Sequence, residues 1–182
     1  MNILEAAQAI QTGEIVIVPT EGVYGLSCDP QSNLALHCLL RLKNRPADKG
    51  LILVASDVAQ LDAYVDWDQL PRERCSAVME SWPGPFTWVV PIKSQVSRLI
   101  SGQHRSVAVR VTDHPLMAEL CSLCQSPLVS TSANLSGKPS VSEAAELDPE
   151  LLHQVAGVVA GKTGGRIRPS LIRDALSGAV LR

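Results

Sequence analysis

Six short apolar runs, rich in Val, Ile and Leu, recur along the chain and constrain the fold more than any other feature of the sequence. Their length and their β-branched residues are typical of buried β-strands. Pro19 ends the first of them, since proline cannot continue a strand ladder. The runs are IVIVP (15–19), LILVA (51–55), FTWVVP (86–91), SVAVRV (106–111), PLVS (127–130) and VAGVVA (155–160).

Helices are predicted between some of these runs, but not between all of them. Several neighbouring strands lack room for a crossover helix, which excludes a purely parallel βαβ array. We therefore expect an α/β fold of the mixed (α+β) kind, with one domain over residues 1–182 and a twisted parallel and antiparallel sheet flanked by helices. The predicted helices lie before Gly13, around Leu36–Leu40, from Asp57, from Pro71 and over 115–123, and a closing hairpin turns at Ser177–Gly178.

The overall charge is nearly balanced, with 16 Lys and Arg against 18 Asp and Glu. This argues against a non-specific nucleic-acid coat, which needs a broad cationic surface, but it allows a local basic cleft. No apolar run approaches the roughly 20 residues that span a bilayer. The first 13 residues do not resemble a signal peptide, and five cysteines suit a reducing compartment. We expect a cytoplasmic protein with no membrane contact.

The segment around LKNRPADKGL (42–51) concentrates positive charge. Arg41, Lys43, Arg45 and Lys49 are accompanied by a single acid, Asp48. Such cations can simply be solvated at a helix C-terminus, where they are favoured by the helix dipole. Arginine also forms forked phosphate contacts and lysine a point-charge contact, so the segment equally suits a polyphosphate.

Two polar stretches, PTEGVYGL (19–26) and STSANLSG (130–137), each follow a predicted strand. Ligand sites in open α/β sheets favour strand ends, and small hydroxyls can donate to phosphate oxygens. Asn134 could contact an amide, a sugar or a base edge. A purely local interpretation stays open for both stretches, in which Thr20 bonds the backbone of a turn and the Ser/Asn segment caps a helix.

The stretch GKTGGRIRPS (161–170) contains Lys162, Arg166 and Arg168 but does not form a P-loop. The first glycine of G-x-x-x-x-G-K-[ST] would stand at position 156, which is Ala156. The glycines that follow also prevent a helix from starting directly after the lysine. We expect instead a flexible basic loop over the site.

A metal centre is not expected from the cysteines and histidines. Cys121 and Cys124 form one C-x-x-C pair on a predicted helix, whereas a structural zinc needs four ligands. We predict that these cysteines are buried small hydrophobes and that no metal is fixed by protein side chains. His114, in VTDHP, is expected to be a cap or a surface group. The remaining histidines, scattered along the chain, are His37, His104 and His153.

Taken in order, the polar and apolar stretches resemble the YrdC/TsaC family of threonylcarbamoyl-AMP synthases, in its short single-domain bacterial form. The resemblance covers roughly residues 5–182. It implies a YrdC-like sheet around a basic concave cavity. It is carried by PTEGVYGL, LKNRPADKGLIL, WPGPFTWV, SVAVRVTDHP, LVSTSANLSG and PSLIRD.

The resemblance implies an enzyme that makes threonylcarbamoyl-AMP from L-threonine, bicarbonate and ATP, with Mg²⁺ accompanying the ATP and pyrophosphate released. A downstream threonylcarbamoyl transferase complex would then modify adenosine 37 of tRNAs that read ANN codons. The protein itself is expected to be a monomer. Because phosphoryl-type transfer can rest on positioning and electrostatics, no obligatory nucleophile is expected.

The family's site residues match positions of this chain. The implied threonine-site residues are Thr20, Ser130 and Ser170, the implied nucleotide-site residues are Lys43, Arg45, Lys49, Ser132, Asn134 and Arg182, and Arg110 matches a strand arginine that faces the substrates. Of these, Lys43, Arg45 and Arg110 would act electrostatically. The chain departs from the family pattern at Gly22, where Thr or Ala is expected.

Two other interpretations remain open at the level of sequence. The chain could be a double-stranded RNA-binding or ribosome-maturation module that uses the same basic cavity. It could also be a Ser/Lys amidohydrolase in which Lys43 activates Ser130 or Ser132.

Overall fold

The computed structural model describes residues 1–166 and 170–181, and it contains an eight-stranded mixed sheet. The strands lie in the order β7-β1-β2-β6-β3-β5-β4-β8. The pairs β1–β7, β3–β5 and β4–β8 are parallel, and the other four are antiparallel. The strands are β1 (Val16–Pro19), β2 (Tyr24–Cys28), β3 (Ile52–Ala55), β4 (Phe86–Pro91), β5 (Ser106–Val111), β6 (Leu128–Ser132), β7 (Gly157–Val158) and β8 (Leu171–Asp174). The expected mixed sheet is confirmed.

Several helices begin where the sequence supplies a capping side chain. Ser32 accepts a hydrogen bond from the amide of Ala35, and Asn2 forms a capping box with Glu5. The segment after Asp57 forms only a 3₁₀ turn instead of the predicted helix. The helices are α1 (Ile3–Gln11), α2 (Asn33–Leu42), α3 (Arg72–Glu80), α4 (Arg98–Ser101), α5 (Pro115–Cys124) and α6 (Pro149–Leu152), and 3₁₀ turns lie at Ala47–Lys49, Val58–Leu61, Trp67–Gln69 and Ala144–Glu146. Among the described residues, no helix combines the length and the apolarity needed to cross a membrane.

Strand β2 was not predicted, because its sequence YGLSC lacks a β-branched run. It forms nevertheless between β1 and β6, and all five of its residues are buried. Tertiary context overrides its weak β-propensity. The strand predicted over 155–160 is present only as the two residues of β7. The predicted closing hairpin is present as β8 and a single antiparallel bridge from Arg173 to Val180.

The alternation of side chains divides the core between the two faces of the sheet. One face carries Ile17, Leu26, Leu53 and Val109 into the larger cluster, which includes the buried leucines of α2. On the other face, α1 and α5 cover only part of the sheet. On the part of this face that the two helices leave uncovered, a row of residues paired across neighbouring strands forms the floor of a cavity. This row is Ser130, Ile52, Ala108 and Val89.

Candidate active site

Two adjoining cavities open on the part of the sheet that α1 and α5 leave uncovered. Cavity A has a volume of about 580 Å³ and lies between the Pro-Thr-Glu turn, the end of β5 and residues 161–166. Cavity B has a volume of about 450 Å³ and lies over β3, β4 and β5. Ser130 and Ser132 line both cavities. The two volumes therefore meet at the end of β6.

A buried ion pair forms one wall of cavity A. Arg110 Nη2 lies 3.1 Å from Glu21 Oε2, and both side chains are less than a tenth exposed. The hydroxyl of Thr112 donates to the other carboxylate oxygen of Glu21 at 2.6 Å. The amide of His114 in turn donates to Thr112 Oγ1 at 3.1 Å. Since β5 is extended, Arg110 and Thr112 point to the same side and both reach Glu21.

Hydroxyl groups line the same cavity. Thr20 Oγ1 donates to the carbonyl of Val23 at 2.7 Å, so the predicted local turn is present. Thr20 lines cavity A, and a hydroxyl oxygen that donates one bond can still accept another from a ligand. Ser170 Oγ accepts from Thr87 Oγ1 at 3.3 Å, which leaves its own hydroxyl hydrogen able to donate.

The two cavities differ in charge. Cavity A is lined by two acids, Glu21 and Glu143, and by two arginines, Arg110 and Arg166. In cavity B the described lining residues include Arg45 and Lys49 but no acid. Its other walls are largely apolar, from Leu51, Ile52, Val89, Ile100, Val107, Ala108, Ile172 and Leu181.

Arg45 is anchored to its own segment. Its Nε and Nη2 donate to the carbonyl of Gly50 at 3.1 and 2.9 Å, and Nη2 also lies 3.4 Å from the carbonyl of Lys49. Burial lowers the pKa of the Arg45 guanidinium, and the charge of Asp48 opposes this effect. Arg45 and Lys49 thus share one rim of cavity B.

Lys43 lies behind the loop that follows β6. Its Nζ donates to the carbonyls of Ser132 and Asn134 at 2.7 and 2.6 Å, and to Asn134 Oδ1 at 2.8 Å. These acceptors use all three donors of an ammonium group. Burial, and secondarily the charge of Arg45, lower the pKa of Lys43 to about 8. The structure thus joins Lys43, Ser132 and Asn134, although they lie about 90 residues apart in sequence.

The sequence-predicted residues fall into three groups. Thr20, Arg110 and Ser170 line cavity A, Arg45 and Lys49 line cavity B, and Ser130 and Ser132 line both. Lys43 and Asn134 are not among the lining residues of either cavity; Lys43 donates to the carbonyl of Ser132 and to the side chain of Asn134. Arg182 and Arg168 fall outside the described residues.

Sequence reasoning missed several residues of cavity A. Glu21 is the only acid of its stretch, which could have singled it out, whereas Glu143 gives no such indication. Arg166, in contrast, belongs to the basic stretch that was expected over the site. His114 was expected to be a cap or a surface group, and it is the N-cap residue of α5, although its side chain makes no capping bond. It is not a surface group, since it is 5% exposed and its Nε2 lies 3.2 Å from the carbonyl of Lys162. A long-range contact of this kind leaves no pattern in the local sequence.

Residues 161–166, called the strap below, are also tied more firmly than a flexible loop. Hydrogen bonds join the strap to Thr20, Glu21 and Tyr24. Its arginine, Arg166, forms an ion pair with Asp113. The strap therefore forms a hydrogen-bonded wall of cavity A.

The two cysteines of the C-x-x-C pair lie on α5, away from both cavities. Cys121 is buried, and its Sγ donates to the carbonyl of Val54 at 3.3 Å. Burial raises the pKa of Cys124 to about 11. Residues 1–166 and 170–181 contain no group of three or more His, Cys, Asp or Glu that could hold a metal ion.

A family model for Sua5/YciO/YrdC, described as telomere recombination, matches residues 8–182. The chain belongs to this family. Among curated Sua5/YciO/YrdC relatives, the threonylcarbamoyl-AMP synthase of Stenotrophomonas maltophilia (strain K279a) is 49% identical over 177 residues, which are 97% of this chain and 95% of the relative. That of Vibrio campbellii (strain ATCC BAA-1116) is 46% identical over 181 residues, which are 100% and 98% of the two chains. The family resemblance is confirmed.

Solved structures of the Sua5/YciO/YrdC family show the same fold. P. abyssi Sua5 complexed with L-threonine superposes with a TM-score of 0.85 at 34% identity, covering 94% of this chain. This chain spans only half of that Sua5 chain. E. coli YciO superposes with a TM-score of 0.85 at 22% identity, covering 99% of this chain and 87% of YciO, and shows the fold alone.

Proposed function

We propose that this protein is a threonylcarbamoyl-AMP synthase, which joins L-threonine, bicarbonate and ATP and releases pyrophosphate. The relatives that are 46–49% identical over nearly their whole length have this name, and a solved relative is complexed with L-threonine. The observation that carries the proposal is the pair of adjoining cavities. One is balanced in charge, the other is cationic, and they meet at Ser130 and Ser132.

Cavity A suits the amino acid. Free threonine is a zwitterion, so a site with equal numbers of acids and arginines matches its charge. Arg110 and Arg166 are suited to the carboxylate, since arginine forms forked bonds with carboxylates. Thr20 and Ser170 supply an acceptor and a donor of suitable size for the substrate hydroxyl or amine.

Cavity B suits the nucleotide. Its apolar floor can hold a base, and Arg45 and Lys49 can contact phosphates at the rim. Lys43 would contribute its charge from behind Ser132 and Asn134, and direct contact with phosphate would require one of its present bonds to be exchanged. Mg²⁺ bound to the ATP phosphates would neutralise part of their charge.

The reaction then follows from the junction between the cavities. The ammonium group of threonine first loses a proton, and the neutral amine then attacks CO₂ or bicarbonate, so that a carbamate forms with loss of a second proton or of water. A carbamate oxygen attacks the α-phosphorus of ATP, and the bond to the leaving pyrophosphate breaks. Both reactants are anions, so the cations of cavity B and the hydroxyls of Ser130 and Ser132 would offset their repulsion. Positioning and electrostatics carry the step.

The wider role of the product is part of the same proposal. Its threonylcarbamoyl group would pass through a partner transferase complex to adenosine 37 of tRNAs that read ANN codons. The protein would act as a cytoplasmic monomer.

The Ser/Lys amidohydrolase alternative fits the geometry less well. Lys43 Nζ lies 3.5 Å from Ser132 Oγ, but it donates to three closer oxygens. An activating base must accept a proton from the serine, whereas Lys43 is placed as a donor.

Pyrophosphate release with different amino acids tests the proposed function. A site that bonds the substrate hydroxyl rejects an analogue lacking it strongly, whereas a missing methyl costs only about 1–3 kcal/mol. We expect turnover to rank threonine above serine and serine far above valine, and to collapse when bicarbonate and dissolved CO₂ are removed. Equal turnover with valine, or full turnover without bicarbonate, would contradict the proposal. Salt-sensitive RNA affinity without ATP turnover would favour the RNA-binding alternative instead.

A further inference from the structure

The strap closes cavity A by joining two of its walls. Thr163 Oγ1 donates to the carbonyl of Ser142 at 3.2 Å, and Tyr24 Oη donates to the carbonyl of Gly161 at 2.7 Å. Thr163 and Ser142 both line cavity A. The path of the strap therefore sets the shape of this cavity.

The strap meets the Pro-Thr-Glu turn main chain against main chain. The amides of Gly164 and Arg166 donate to the carbonyls of Thr20 and Glu21 at 2.9 and 3.0 Å. A Cβ atom on Gly22 would lie 2.7 Å from the carbonyl oxygen of Arg166, so no side chain fits there. Gly22, the departure from the family pattern, thus permits this close approach, and a small shift of the strap would break both bonds.

The side chain of His114 also contacts the main chain of the strap. Its Nε2 lies 3.2 Å from the carbonyl of Lys162, and because a carbonyl oxygen only accepts, this nitrogen carries the proton. Among the described residues Nδ1 is buried and has no hydrogen-bond partner. The imidazole does not line cavity A, so it would not touch a substrate there.

The two residues before His114 act on the same walls. Asp113 forms the ion pair with Arg166 of the strap, and Thr112 donates to Glu21 of the turn. The segment that follows β5 thus contacts both the strap and the Pro-Thr-Glu turn, which together form walls of cavity A. Of these three residues, His114 is the one whose side chain bonds to the main chain of the strap, and it is almost completely buried.

We propose that His114 is a positioning residue for the amino-acid site, because its Nε2–H fixes the Lys162 carbonyl and keeps the strap seated on the Pro-Thr-Glu turn. The proposal rests on the proposed function, in which cavity A binds threonine. Removal of this hydrogen bond would leave the side chains of the cavity intact but would let the strap move. The affinity for threonine then falls, whereas cavity B keeps its affinity for ATP.

The experiment compares His114→Leu, which fills the volume without a donor, with His114→Gln, whose Nε2 can donate from a similar position. KM for threonine, KM for ATP and kcat are measured by pyrophosphate release, and amide hydrogen exchange of Gly164 and Arg166 is measured without substrates. One hydrogen bond corresponds to roughly a two- to tenfold change in an equilibrium constant. We expect His114→Leu to raise KM for threonine about fivefold, to leave KM for ATP within about twofold and to speed exchange at both amides. His114→Gln should bring KM for threonine and the exchange rates of both amides most of the way back to the values of the unaltered protein.

The control is His37→Leu, at an exposed position on α2, which should change none of these quantities. If His114→Leu fails to fold, His114→Asn replaces it, since its shorter amide cannot reach Lys162. The proposal would be overturned if His114→Leu changed neither amide exchange nor KM for threonine. It would also be overturned if KM for ATP rose as much as KM for threonine, or if His114→Gln had the same KM for threonine and the same exchange rates as His114→Leu. If the unaltered protein does not use threonine, the proposed function fails, but the exchange rates still decide whether His114 seats the strap.

Discussion

Cavities A and B share a wall but are held together in different ways. In cavity A, Glu21 is bonded to Arg110 and Thr112, about 90 residues away in sequence. In cavity B, Arg45 is bonded to Gly50, five residues away. Cavity A therefore depends on contacts between segments that are distant in sequence. Cavity B depends on one local turn and on the register of the sheet. Changes in cavity A should affect both stability and threonine use, whereas changes in cavity B should affect mainly ATP use.

The largest effect is expected from Arg110→Met. Removal of one partner from a buried ion pair leaves the Glu21 carboxylate uncompensated, which typically costs about 3–5 kcal/mol of unfolding free energy. Threonine-dependent turnover should also fall about ten- to hundredfold, because the lost group bonds a charged substrate. Chemical denaturation and pyrophosphate release provide the two measurements. The double variant Glu21→Gln/Arg110→Met should regain stability but not turnover, and a single variant as stable as the unaltered protein would contradict the account of cavity A.

Substitution of the cations near cavity B tests the other half of the comparison. Charge-assisted hydrogen bonds contribute about 1.5–3 kcal/mol each, so Arg45→Ala should weaken ATP binding about tenfold or more. Lys43→Ala should also weaken ATP binding, because it removes a positive charge close to the nucleotide site. Arg45→Ala should leave the fold intact. Lys43→Ala should also loosen the loop after β6, because three oxygens lose their donor. Calorimetry with a non-hydrolysable ATP analogue measures the affinity, and unchanged values in both variants would remove these residues from the nucleotide site.

The pH dependence of nucleotide binding tests whether the charge of Lys43 contributes to it. Since burial lowers its pKa to about 8, the ammonium loses its proton as pH rises through 8, well below the usual value for lysine. Without threonine present, ATP-analogue affinity should fall about tenfold between pH 7 and pH 9, because charge occupancy falls about tenfold per pH unit above the pKa. Lys43→Met should bind weakly and lack this dependence. A flat profile in the unaltered protein would show that the charge of Lys43 does not reach the nucleotide.

The smallest effect is expected away from both cavities. Cys121→Ala/Cys124→Ala alters α5, which packs on the covered part of the sheet, so turnover should stay within about twofold. The buried Cys121 makes one weak bond to Val54, and its loss should lower the unfolding free energy by about 1 kcal/mol. Elemental analysis should find no stoichiometric zinc. One zinc per chain that disappears in the double variant would disprove this prediction.

Much of the fold could be predicted from local pattern. The strands β1, β3, β4, β5 and β6 coincide closely with apolar runs, and α2 begins at the cap that Ser32 supplies. Strand β2 could not be found in this way, because YGLSC becomes a strand only through pairing with β1 and β6. Pairing of this kind depends on segments that are distant in sequence, and local propensity does not contain it.

The sequence by itself determined the family, the polar stretches and the residue types of the site, because motifs keep their chemistry wherever the chain places them. Only the tertiary structure decided how the site is divided. It paired Glu21 with Arg110, placed Lys43 behind Ser132 and buried His114 against the strap. The physical reason is that each contact is a hydrogen bond or ion pair of a few ångströms between segments about 50 to 90 residues apart. Their partners are fixed by the register of the sheet and by the space that glycines such as Gly22 leave open.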